Sequence, residues 1–342
     1  MRRPRWLIPW LLMAPGLLWL LAFFVLPNLQ MVAMSLSSGT IGTGFQLTWE
    51  FNNYLGAFGR FPDNFRNSLV YGGLATLLTF LIGYPLAYGI AFRGGRYKNL
   101  LLFLVIAPFF TSFLIRVISW RIILGDNGPI IAIARDVLTL VPANFSIINT
   151  PLAVVSGLTY QFLPFMVLPL YVSLEKIDHR LIEAARDLYA GPWRRGGLVA
   201  GGAGGAGLAG VLLFALGYAD PSLDGLVGSL PAMIVGGFVG AVIGSLLVSE
   251  SFVRVTFPLS LPGVFAGSIL VFIPAIGDFV NAELLGNPKT QMVGNVIQGR
   301  FLQQNDYPTA AALSFILMAA ILVAIAIYAR VLGTEELTGG RS

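Results

Sequence analysis

Asp278 and Glu283 stand five positions apart, just after Pro274-Ala275-Ile276-Gly277 interrupts a long apolar run. An acidic side chain at the centre of a membrane helix costs about 2.5 to 3.5 kcal/mol on insertion scales, so it faces a cavity, a partner or a substrate. A helix broken at Pro and Gly also exposes backbone carbonyls to water. Carboxylates in that setting suit a small organic cation, whose ammonium groups they attract. Trp120 and Tyr160, with Phe162, have the ring faces that cations favour. The expectation is a cation path through Asp278, Glu283, Trp120 and Tyr160. Against it stands a plainer reading, with Glu283 among the outer headgroups and the aromatics in an interfacial belt.

A second group is built for contact. Glu183, Ala184, Ala185, Arg186, Asp187, Leu188, Tyr189 and Ala190 have the composition of a short helix and lie in the most charged stretch between apolar runs. Small residues let a partner's surface come close, while Glu183, Arg186 and Asp187 offer charge-assisted contacts. Taken alone, the segment also fits a solvated helix. The chain has no Walker A pattern, no Gly-x-Ser-x-Gly and no His-Glu-x-x-His, so it neither cradles ATP phosphates nor activates water on zinc. With no Cys and one His there is no thiolate or His-rich metal site, and no cofactor is expected.

The elements that position these residues are membrane helices. Of the 342 residues, 56% are hydrophobic and 11% charged, against about 25% charged in soluble domains. Apolar runs at 9–34, 67–92, 100–122, 151–174, 197–217, 230–249, 263–282 and 309–332 predict eight spans. The first begins with Arg2, Arg3 and Arg5 and is too long for a cleavable signal, so it is expected to remain as an uncleaved span. Arg116 interrupts the third span and is expected to snorkel toward the outer surface or pair with an acid. Basic residues gather after spans two and four (Arg93, Arg96 and Lys98; Lys176, Arg180, Arg186, Arg194 and Arg195), which puts those loops and both termini in the cytoplasm. The formal charge of +5 is therefore topological, and no basic run interleaved with aromatics points to nucleic acid. Outside, residues 35–66 offer Trp49, Phe51, Tyr54 and Phe58 as interfacial anchors, and 130–140 suits a short amphipathic helix.

The stretch from Leu181 to Trp193, resumed at Phe252-Val253-Arg254-Val255-Thr256-Phe257-Pro258-Leu259-Ser260-Leu261-Pro262-Gly263, resembles the EAA loop of binding-protein-dependent ABC permeases. The likeness extends to Ala107–Arg116, Leu163–Tyr171, Ile273–Val280 and Gln291–Gln298, and together these resemble the permease subunit of a spermidine/putrescine-type ABC importer. The resemblance implies an all-α polytopic membrane protein with the helical bundle of a type I importer permease, in the bacterial inner membrane. It implies that Glu183, Ala184, Ala185, Asp187, Tyr189 and Ala190 form the coupling helix that sits in a groove of the ATPase. Its partners would be an ABC ATPase dimer, a second permease subunit and an extracytoplasmic substrate-binding protein, around a path for polyamines. Two features depart from the family pattern: Tyr189 stands where Gly is usual, and residues 195–250 split the loop. That insertion reads as a two-helix membrane hairpin, because 197–217 and 230–249 are uncharged and carry Gly every fourth residue (Gly197, Gly201, Gly205; Gly236, Gly240, Gly244).

The chain thus divides into an N-terminal span and outer loop (1–66), a first core part with the start of the coupling loop (67–194), the hairpin (195–250) and a second core part with the C-terminal tail (251–342). A secondary transporter would share broken helices and midplane carboxylates. An intramembrane enzyme would need paired catalytic residues within the spans, which these spans lack.

Overall fold

The computed structural model describes residues 7–133, 146–188 and 252–332. Helix α1 (Leu7–Leu20) continues through a π turn at Leu21–Val25 into α2 (Leu26–Ser35), and together they make the first span. Strands β1 (Ser37–Thr40) and β2 (Gly44–Leu47) form an antiparallel hairpin, followed by α3 (Asn52–Arg60). Helix α4 (Pro62–Arg93) is the second span. Next come α5 (Lys98–Ile106), α6 (Phe113–Leu124) and the single turn α7 (Pro129–Ala132). Helix α8 (Pro151–Glu175) leads into α9 (His179–Leu188). After residue 251 come α10 (Phe257–Ile276), α11 (Val280–Leu285), α12 (Val293–Gln298) and α13 (Tyr307–Leu332).

Among the described residues, five helices are long and apolar enough to cross a membrane, or six if one bent pair counts as a single span. Local chemistry sets their ends. Pro62 and Pro151 open α4 and α8, where a missing N–H costs nothing, and Thr150 caps α8 by accepting the Ala153 N–H at 3.3 Å. Two expected boundaries are corrected. The run 100–122 is not one straight helix: the chain turns by 98° between Gly95–Phe110 and Phe113–Ala132. Thr111 (ψ 150°) and Ser112 (ψ 138°) leave the helical region after the tight turn Ala107–Phe110, so the hydrogen-bond ladder breaks there. The run 263–282 likewise ends as a helix at Ile276, and Asp278 stands beyond it. The expected hairpin 195–250, most of the helix expected at 130–140, and both chain ends lie outside the described residues.

The core is the triangle of α4, α8 and α10. Ala75, Tyr84, Leu158, Met166, Leu170 and Val271 are buried in it. Helices α8 and α10 come close because Gly263 and Gly267, one turn apart, face α8. A Cβ on Gly263 would lie 2.5 Å from Ser173 Cβ and 2.7 Å from the Pro169 carbonyl oxygen, and one on Gly267 would lie 2.8 Å from Met166 Sδ. The hydroxyls of Tyr84 and Ser260 share a buried hydrogen bond of 2.6 Å across α4 and α10. The first span stands apart, resting on α13 through α2, with Leu12, Leu18, Phe23 and Phe24 exposed. Such a face is expected toward lipid.

The bundle has two distinct ends. At one, Lys98 Nζ meets Glu175 Oε1 at 2.5 Å, and α9 packs on the turn Phe252–Thr256. At the other, Asn67 Nδ2 donates to the carbonyls of Lys289 (2.9 Å) and Gln291 (3.1 Å), while the Asn149 N–H donates to the Leu285 carbonyl at 2.8 Å.

Candidate coupling helix and substrate path

Helix α9 begins where Asp178 Oδ1 accepts the Arg180 N–H at 2.9 Å. Ile182 and Ala185, three residues apart, are each 6% exposed. Glu183, Ala184 and Asp187 face outward, as do Leu181 and Leu188. Ala185, expected among the contact residues, is therefore turned into its own chain, where its small side chain seats the helix. Tyr189 and Ala190 lie outside the described residues. Sequence reasoning missed Leu181 and Leu188. With Ala184 they form an exposed apolar stripe at i, i+3 and i+7, the spacing of a helix made to lie in a groove. That spacing was the signal for them.

At the opposite end, the acidic segment is held by amides. Asp278 is 8% exposed; its Oδ1 accepts the Asn281 N–H at 2.8 Å and its Oδ2 the Asn281 side chain at 3.1 Å. The first of these joins a carboxylate, just ahead of the N-cap residue Phe279 of α11, to a backbone N–H three residues on. Asp278 is thus buried and engaged by Asn281 at the start of α11. Glu283 is exposed, and its Oε2 accepts from Asn295 Nδ2 at 3.1 Å. The same Asn295 nitrogen donates to the Phe279 carbonyl at 2.8 Å, and the Val293 N–H donates to Ser68 Oγ at 2.9 Å, tying α12 to α11 and α4. Glu283 opens on a polar cavity of about 240 Å³ shared with Phe61, Asn295, Gln298, Arg300 and Gln303. Arg300 Nη1 pairs with Asp306 Oδ2 at 3.2 Å, so its charge is met locally. Asn67, Ser68, Asn281 and Asn295 were not foreseen as site residues. Their partners lie in other elements, and no local pattern announces that.

Trp120 and Tyr160 do come together. Their rings stack with centroids 5.0 Å apart at 3°, and Trp120 Nε1 donates to Ser156 Oγ at 3.2 Å. Phe162, by contrast, is 7% exposed and has no free face. Gly157 is the meeting point: a Cβ there would lie 2.8 Å from Asn281 Oδ1 and 3.4 Å from Trp120 Cδ1. The aromatic pair and the amide that holds Asp278 therefore share one wall. Glu283 lies two residues past Asn281, about 200° around the helix, and faces the polar cavity instead. The four expected path residues form two neighbouring clusters.

Arg116 lies past the turn in the chain and beside Phe109, whose ring meets Phe165 edge-on at 5.0 Å. Its guanidinium lies 5.3 Å over the Phe109 ring.

Comparison with known proteins fits this arrangement. Residues 248–332 match the family described as binding-protein-dependent transport system inner membrane component. The chain is 34% identical over 315 residues to the spermidine/putrescine transport system permease protein PotB of Haemophilus influenzae, covering 91% of this chain and 90% of that one. PotB of Escherichia coli K12 is 31% identical over 313 residues, with 91% and 93% covered. Among solved structures, a chain of a bacterial ABC transporter that imports the acidic polysaccharide alginate superposes with TM-score 0.63 at 17% identity, covering 95% and 94%.

Bundle and likenesses define an ABC-importer permease: a multi-pass inner-membrane subunit that works with a separate ATPase and a substrate-binding protein. ATP is hydrolysed by that separate subunit, not by this chain. Within the class, the chain belongs to the family of PotB permeases.

Proposed function

We propose that this permease moves polyamines, spermidine or putrescine, into the cytoplasm as one of two permease chains around a shared path. The observation that carries the reading is the separation of two surfaces: a partner-facing helix at one end of the bundle and the Glu283 cavity at the other. The PotB relatives support the substrate class, since they are named for spermidine and putrescine transport. On this reading both termini are cytoplasmic, because Arg93, Lys98, Lys176 and Arg180 cluster at the α9 end.

The binding protein delivers its cargo to the Glu283 end. Glu283 attracts an ammonium group there, and the Trp120–Tyr160 stack offers a ring face further in. Asp278 acts by holding the segment. At the other end, Glu183, Ala184 and Asp187, with Leu181 and Leu188, enter a groove of the ATPase. Only three residues join α8 to α9 (Lys176 to Asp178), so a shift of α9 is passed to α8 as a rigid body and reaches Tyr160.

Affinity purification of the tagged chain tests the assembly. A nucleotide-binding subunit and a second, different permease should come with it. Recovery of the chain alone, transporting without ATP, would favour a secondary transporter.

A further inference from the structure

Arg116 sits where a cation is costly. Its guanidinium lies over Phe109, and Phe109 meets Phe165, about 21 Å along α8, a helix roughly 37 Å long at 1.5 Å per residue. That is the middle of a hydrocarbon core of about 30 Å. Buried ionisable groups at this depth almost always pair or face a water-filled cavity. Among the described residues, Arg116 Nε is buried without a hydrogen-bond partner. The acids of the α11 segment are already engaged, Asp278 by Asn281 and Glu283 by Asn295. Phe109 takes a face of the guanidinium and leaves the in-plane donors, which a carboxylate engages two at a time.

Helix α6 is also largely uncovered. Val117 and Leu124 are buried, but Leu114, Ile115, Ile118 and Ile122 are between 49% and 67% exposed. Ser112 and Ser119, one turn either side of Arg116, are exposed as well.

We propose that Arg116 forms an intramembrane ion pair with a carboxylate on a membrane helix of the second permease subunit, which packs on this face of α6. The inference rests on the two-permease reading above. Charge decides between a different chain and a second copy. Across a two-fold axis, a second copy would bring its own Arg116 to the same depth, setting like charge against like. A different chain carrying an acid there neutralises the cation and fixes the register of the pair, and this supplies a physical reason for a heterodimer.

The test uses the full complex of both permeases, ATPase and binding protein. A photo-crosslinking amino acid at Ser119, with Arg116 intact, should form an adduct with the second permease. Arg116→Gln should lower uptake at least tenfold, Arg116→Lys should retain most of it, and Arg116→Glu should be rescued by an acid→Arg change on the crosslinked helix. Adducts to lipid or within this chain alone, or normal uptake by Arg116→Gln, would overturn the ion pair while leaving the two-permease reading intact. A functional complex purified with no second permease would instead overturn that reading.

Discussion

Asn281 holds both oxygens of Asp278, one through its backbone N–H at 2.8 Å and one through its side chain at 3.1 Å. The acid and the amide, three residues apart, close the first turn of α11 and so set where Glu283 stands. Asn keeps an acceptor oxygen for the Asn281 N–H, whereas Ala removes it. Asp278→Asn should therefore leave the purified permease near wild-type stability, and Asp278→Ala should cost about 1 kcal/mol. Thermal unfolding of the two variants in detergent checks this; equal losses would show that charge, not the hydrogen bond, is what matters.

Glu283 should behave differently. Its carboxylate is exposed and accepts from Asn295 through Oε2, so Glu283→Gln keeps the volume and an acceptor while removing the charge. We expect a raised KM for spermidine with assembly unchanged, measured by uptake into vesicles. An unchanged KM would place the cation path elsewhere.

Much of this was legible in the sequence. Long uncharged runs predict spans whatever their packing, and the α9 segment announces itself by small residues flanked by charge. The break at Thr111 and Ser112 was masked by hydropathy, which runs smoothly through it, although Pro108 in the preceding turn is a helix breaker. Asp278 was legible as an anomaly but not as a partner of Asn281, since an acid before a short helix and an acid facing a cation look alike in one dimension. The ties of Asn67 to Lys289 and Gln291 join residues more than two hundred positions apart, and nothing local encodes them.

The close approach of α10 to α8 is a separate test. At Gly263 an added Cβ meets the Pro169 carbonyl oxygen, which is backbone and gives way poorly; at Gly267 it first meets the flexible Met166 Sδ. Gly263→Ala should therefore be the more damaging, by about 1 to 3 kcal/mol for overpacking. The yield of folded permease from membranes ranks the two; the reverse order would mean that α8 shifts freely.

The loop between the two uncharged runs of 195–250 carries Asp220 and Asp224 and no Lys or Arg, and is expected outside. Because the chain has no Cys, Ser222→Cys introduces a unique thiol. An impermeant maleimide should label it in intact spheroplasts. Labelling only after lysis would rule out an outward-facing hairpin.

On the reading proposed above, polyamine entry is coupled to ATP through α9. Uptake of labelled spermidine into proteoliposomes bearing the full complex, with the binding protein outside and ATP inside, measures it directly for the wild-type chain and for Glu183→Arg. The wild type should take up spermidine only with ATP, and the variant should hydrolyse ATP without driving transport. Uptake that proceeds without the ATPase subunit, or that Glu183→Arg leaves intact, would contradict that reading.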